Sequence, residues 1–499
     1  AHYNGTGRGV FIGLQAGKLT TGSGVYIGSE AGETSTSNGL VLVGENAGKM
    51  VSGTAGGMTA VGHNASSHAS GTYHTMVGQN AGQYLKGNVN TGVGYRVFQS
   101  GTNATHQNNT GLGYQVLQGG NYSVTNQDNV AIGVNTMRYA SGSSYNVAVG
   151  QTLFAQDQTS TQVVSVGYRA LSGTTSTTGT VAVGHLAARD LTTGDHNVAI
   201  GKSAMKANTT SNYSIAIGTE AMGTLDGAGN STAIGYLSMY AHSGDNNVAV
   251  GNYSLRTGSN AYNVAVGVSA MTKVSGGAGG IAIGYQAGYH PTGNYNTWVG
   301  YNAGFGTAAG GGDSNVGIGR ESLMNINDGN YNVAVGYQAG KVITDASGSV
   351  VMGYEAGFSV ATGHDNTFIG LKAGKAVNGT TGRNVMIGSQ AGQSATTTDA
   401  STIIGFQAAG GAALTGDYNT AIGYQSGYAL VGSVEGNVFL GHRAGYGATS
   451  GGYNTFLGYA AGQNVTTGAG NVIIGKNAGP SSTNTDSNKL YINNAAGTP

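Results

Sequence analysis

The sequence predicts an all-β fold: a parallel β-solenoid of about 28 coils, each about 17 residues long. Three observations lead there. A short aliphatic–glycine unit recurs from one end of the chain to the other, its spacing stays near 17 residues, and the residues before each glycine alternate with period two rather than 3.6. The stretch Ile281 to Gly304, IAIGYQAGYHPTGNYNTWVGYNAG, shows one unit, a turn and the unit again. A repeat this short cannot bury a core alone, so it is read as one rung bonded to the rungs on either side.

Taken in order, residues 1–8 form an N-terminal junction, residues 9–479 a continuous repeat domain, and residues 480–499 a C-terminal cap or junction. The register is set by 28 glycines from Gly13 to Gly475, at intervals of 15 to 20 residues. Gly201, Gly284, Gly336, Gly423 and Gly475 are representative. Each either supplies a positive φ or removes a clash, and the sequence leaves both open. Ile or Val precedes the glycine in 24 units. These β-branched residues favour strands, and they are expected to point inward as the core. The clearest cases are Ile200, Ile217, Ile234, Ile283, Ile369, Ile387, Ile404, Ile422 and Ile474. On this reading Ile283→Asp would disrupt the roll by burying a carboxylate.

Asn stands four residues before the glycine in 16 units, among them Asn197, Asn296, Asn366, Asn419 and Asn471. Asn closes turns with its own side chain, and stacked copies can hydrogen-bond into a ladder. Between Leu117 and Met271 the position four after the glycine carries large side chains such as Leu117, Met137, Phe154 and Met205, with Ala188 the small exception, where other units usually have Gly. The 117–271 block is therefore expected to have a wider core. Each coil has room for two short strands and two turns, with Pro291 in a turn where no backbone donor is needed. At about 4.8 Å per coil the stack would run for roughly 130 Å.

Composition narrows the function. There are 93 Gly, 3 Pro and no Cys, and the 20 basic and 20 acidic residues balance. A neutral chain with 8% charged residues offers no basic nucleic-acid surface. Without cysteine there is no disulfide framework and no thiolate metal site. No apolar run is long enough to cross a membrane, and the first residues lack a signal-peptide pattern, so direct membrane insertion is not expected. His63 and His68 do not make a metal site by spacing, and no paired carboxylates, phosphate loop or nucleophile elbow is found. The expectation is a non-enzymatic protein with no cofactor and no metal.

The string Asn419 to Gly423, NTAIG, with NVAIG at Asn129 to Gly133 and Asn197 to Gly201, resembles the head repeat of YadA-like trimeric autotransporter adhesins and the similar heads of phage tail fibres and bacterial surface fibres. The likeness extends over residues 9–479, and the closing DSNKLYIN resembles junctions that follow such repeats. It implies a left-handed β-roll, three chains about one axis, and a role in attachment. The expected function is an adhesive fibre or extracellular filament subunit, with a receptor-binding phage tail fibre as an alternative. The expected assembly is a homotrimer or longer homopolymer, outside the cell, on its surface or in a virion fibre, facing a host glycan or protein receptor. A polysaccharide-degrading spike and an ice-binding solenoid are the readings from other classes; the first lacks a carboxylate pair and the second a regular Thr array. Tyr directly after the glycine, as at Tyr285, Tyr301, Tyr337, Tyr354, Tyr424 and Tyr459, is either an aromatic stack at a coil corner or chain interface, or a row of platforms for surface contact.

Overall fold

A computed structural model of the chain describes residues 8–52, 56–99, 105–118, 125–154, 159–224, 229–274, 276–290, 293–307, 310–378 and 382–493. Pro291 and residues 1–7 and 494–499 lie outside that set. Among the described residues there are 34 strands and no helix. The fold is a parallel β-solenoid of about 27 turns, roughly 17 residues apart. The chain divides into two compact units, Ala1–Asn247 and Val248–Pro499, and each is built the same way. In the first, Val181–Val183, Val198–Ile200 and Ile215–Ile217 pair in parallel, with Ala182 beside Ala199 and Ala199 beside Ala216. In the second, Ile281–Ile283, Thr297–Val299 and Val316–Ile318 do the same. Equivalent residues of successive units therefore stand beside one another, which is why one sequence pattern can serve every turn.

The register glycine answers to both demands left open by the sequence. Gly201 has φ +132°, and a Cβ there would lie 2.6 Å from the carbonyl oxygen of Gly218 in the next turn. Gly284 repeats this with φ +134° and 2.5 Å to the Gly300 oxygen. Gly336, Gly423 and Gly475 share the positive φ and the close carbonyl. Any side chain would meet backbone, which cannot move aside without breaking the ladder.

The direction of the strand side chains differs from expectation. Ile200, Ile217, Ile234, Ile283, Ile369, Ile387, Ile404, Ile422 and Ile474 are not the core of the chain. They lie on the outer face of the strand, half-buried or exposed, with Ile283 at 42%. The middle residue of each strand points inward instead, and Ala199, Ala216, Ala282, Phe368, Met386, Ile403 and Phe456 are fully buried. The reason is width. The turn after the strand folds back closely, so the interior is filled by the middle strand residue together with side chains from the turn, and the alternating β-branched residues are left facing out.

That interior is filled from more than one direction. In the central block it is filled from the turn: Met137, Met205 and Met239 are buried opposite Ala131, Ala199 and Ala233. In many other coils it is filled from the strand, and the turn residue is Gly; where strand and turn are both small, a later turn residue fills it, as Leu430 does beside Ala421 and Gly427. A Cβ at Gly374 would lie 2.7 Å from the ring of Phe368, and one at Gly462 would lie 2.6 Å from the ring of Phe456. The block's large turn residues are matched by small strand residues.

Each coil usually holds one strand of three to five residues rather than two. Its other sides are turns that still bond from coil to coil, as where Gly340, Val342 and Thr344 donate to the carbonyls of Ala356, Phe358 and Ala361. A second short sheet occurs at Lys86–Asn88, Thr105–Gln107 and Thr125–Gln127. The DSNKLYIN segment forms one more parallel rung, Leu490–Ile492 against Val472–Ile474, with Asn493 in the place of the register glycine.

Candidate interaction surfaces

The scaffold beneath any surface is the Asn ladder. Asn197, Asn296, Asn366, Asn419 and Asn471 are all buried. The Oδ1 of Asn366 accepts from both the backbone N–H and the side-chain amide of Asn384, each at 3.1 Å. Asn419 does the same for Asn437, and Asn437 for Asn454. The Oδ1 of Asn197, Asn296 and Asn471 accepts from the backbone of Ser214, Asn315 and Lys489. The amide hydrogens reach the next coil, where Asn197 donates to the Ser211 carbonyl and Asn296 to that of Gly312, and they also close the coil's own turn, as Asn366 does on Gly363 and Asn419 on Gly416. Ladder and turn closure are therefore one device, and the buried amides are satisfied on both sides.

Two surfaces stand on this scaffold. The first is the outer face of the strands, a row of Ile, Val, Leu and Thr two abreast, flanked by the residue after the register glycine. Tyr285, Tyr301, Tyr337, Tyr354, Tyr424 and Tyr459 occupy that flanking row. They form a stack, as one of the two sequence readings has it. Tyr285 lies 5.1 Å from Tyr301, and Tyr337 lies 5.1 Å from Tyr354, with planes 15° apart in both pairs. Tyr424, His442 and Tyr459 follow at 4.9 Å each. Between Tyr301 and Tyr337 stands Arg320, its guanidinium carbon 5.5 and 5.7 Å from the two ring centroids. The stack covers its own faces and leaves edges outward.

The second surface was not read from the sequence. From Gly39 onward the residue five before the register glycine is in the left-handed conformation, and in eight units it is Tyr. Tyr262, Tyr295 and Tyr331 have φ +65°, +58° and +59°. Their rings are among the most exposed in the chain, Tyr295 at 70%. The recurring G-x-Y-N string was the available signal, hidden because Asn beside it explained the turn.

Titratable groups are few. Glu321 accepts from Lys341 and Gln338, both at 2.8 Å, and these bonds hold its carboxyl down at about 2. Lys375 does the same for Glu355 and lowers it. Burial pushes His106 and His242 down to about 4, and His74 down as well. Among the described residues no group of three or more His, Cys, Asp or Glu is placed to hold a metal ion. No described helix is long and apolar enough to cross a membrane.

Comparison with protein-family models and with curated protein sequences finds no match.

Proposed function

We propose that this chain is a non-enzymatic fibrous surface protein whose copies pack through the outer strand face, three about one axis, to make a fibre used for attachment. The observation that carries the reading is the outward row of β-branched residues. Ile200, Ile283, Leu440 and Leu457 are each about two-fifths exposed in the single chain, at one place in turn after turn. A continuous aliphatic stripe of this kind is an association surface rather than a solvated one, and closed rotational symmetry covers it without leaving an open end. The likeness of NTAIG units to trimeric adhesin heads and phage tail fibres supports the same reading, which carries with it a location outside the cell, on its surface or on a virion.

The experiment is the mass in solution. Sedimentation of the purified chain is expected to give three times 49.7 kDa. A triple variant, Ile283→Asp, Ile369→Asp and Ile422→Asp, is expected to give single chains that keep their β circular-dichroism spectrum, because these side chains face outward. A wild-type monomer, or a variant that unfolds instead of dissociating, overturns the reading.

A further inference from the structure

One rung of the Asn ladder is an imidazole. Four residues before the register glycine, successive coils carry Met58, His74, Asn90, Asn109, Asn129 and Asn146, all buried. His74 is thus the place where the polar ladder begins, with an apolar level behind it.

The ring stands in for the amide group by group. His74 Nδ1 accepts from the backbone N–H of Asn90 at 3.3 Å and from the Asn90 side-chain amide at 3.5 Å. The Oδ1 of Asn90 accepts the same two kinds of donor from Asn109, at 3.0 and 3.1 Å. The other ring nitrogen takes the place of the amide nitrogen. Asn90 donates its amide to the His106 carbonyl at 2.8 Å, and Gly87, the register partner of His106, has its carbonyl beside His74 Nε2 without closing a hydrogen bond.

This substitution works in one protonation state. Nδ1 meets two N–H groups, so it is bare, and the proton of the neutral ring sits on Nε2. An amide oxygen accepts in acid as well as at neutral pH. A second proton on the ring would go to Nδ1 and turn an acceptor into a donor that faces two donors.

The surroundings give such a charge no partner. Residues 46–127 contain no Asp or Glu, and Glu45, the last acid before them, lies by His63. The ionisable groups of the coils packed on either side are Lys86, Arg96, His63, His68 and His106, besides tyrosines that stay neutral in acid. His106 is itself buried, and neither of its ring nitrogens has a partner. Burial of the His74 ring outweighs the nearby Ser70 and Gly87 carbonyls and holds it below the ordinary 6.5.

We propose that His74 is an acid-sensitive joint: its neutral ring ties the coil of Gly78 to the coil of Gly94, and its protonation opens the ladder at that boundary. Other bonds across the boundary, such as Thr75 N–H to the Asn90 carbonyl at 2.9 Å, keep the coils together, so the opening is local. The folded ring takes up its proton at lower pH than the unfolded one. The link is therefore intact above pH 6.5 and is lost as pH falls below it. The joint lies within one chain and does not depend on how copies associate.

Amide hydrogen exchange of the full chain tests this, read residue by residue by mass spectrometry at pH 7.5 and pH 5 and corrected for the intrinsic effect of pH. On acidification the Asn90 amide is expected to lose at least threefold more protection than that of Asn129, which is bonded to Asn109 Oδ1 in the same ladder. His74→Asn, which restores the amide of the other rungs, is expected to remove that difference without lowering the melting temperature at pH 7.5. His106→Asn is expected to leave the difference in place. Equal loss at Asn90 and Asn129 in the parent overturns the proposal, and so does a difference that survives His74→Asn. A difference that vanishes in His106→Asn but not in His74→Asn would give the acid response to the buried neighbour instead.

Discussion

The coils around Met205 and those around Phe456 solve the same packing problem from opposite sides. In the first, a long side chain enters from the turn and the strand offers Ala199. In the second, the ring enters from the strand and the turn offers Gly462, whose absent Cβ would lie 2.6 Å from it. The cost falls differently. Met205 must hold φ +50°, a conformation that disfavours side chains, whereas Gly462 holds φ +61° freely. The difference teaches that the side chain filling a level can come from either source. A coil cannot be judged by its turn or its strand alone.

The comparison can be broken first by emptying each kind of level. Phe456→Ala is expected to cost about 3–5 kcal/mol, the usual range for a buried aromatic. Met205→Gly should cost less, because relief of left-handed strain returns roughly 1–2 kcal/mol. Thermal or urea unfolding would check this, and an equal or greater loss at Met205 would show that the strain is absent.

A second difference is acid sensitivity. The buried imidazoles His74, His106 and His242 all precede Val248, and no described histidine after it is buried. His106 and His242 are held at about 4 in the folded chain, below the ordinary 6.5. Between those values the unfolded chain binds more protons, so stability rises with pH. The contribution is intact above pH 6.5 and is lost as pH falls to about 4, at roughly 3 kcal/mol per fully buried group. Hydrogen exchange at pH 5 against pH 7.5 should show residues 8–247 loosening while residues 248–493 hold. His106→Asn would be expected to flatten part of that response. Uniform loosening of both units would contradict it.

The smallest effect is the most direct test of the shared space. Ala199→Leu overfills a level already occupied by Met205 and is expected to cost about 1–3 kcal/mol. Adding Met205→Gly should recover most of the loss, because it recreates the arrangement seen at Phe456. Additive losses in the double variant, measured by thermal unfolding, would mean that the two positions do not share one space.

Much of this was legible. The period, the strand before each glycine and the Asn ladder follow from residues such as Asn366, Ile369 and Gly370 because each must recur at one level. The side on which Ile369 lies was not. Alternation shows that Ile369 and Phe368 face opposite ways but not which way is in, and β-branched hydrophobicity favoured the wrong one. The deciding fact is the narrow interior, whose only trace in the sequence is the exchange of size between strand and turn: Ala199 with Met205, Phe456 with Gly462. The left-handed tyrosines were visible as letters, yet nothing in a string of Gly, Tyr and Asn tells an exposed ring from a stacked one.

The parallel pairing of like with like has a consequence for how such a chain changes length. Removing the span from one register glycine to the residue before the next brings equivalent atoms together again, so the Asn bonds and the glycine contacts close as before. Loss or gain of a whole period is then the least disruptive large change open to the gene. Where a coil filled from the turn would newly abut one filled from the strand, neighbouring levels would be crowded or hollow. Those junctions, rather than the repeats themselves, set where the chain can be lengthened or trimmed.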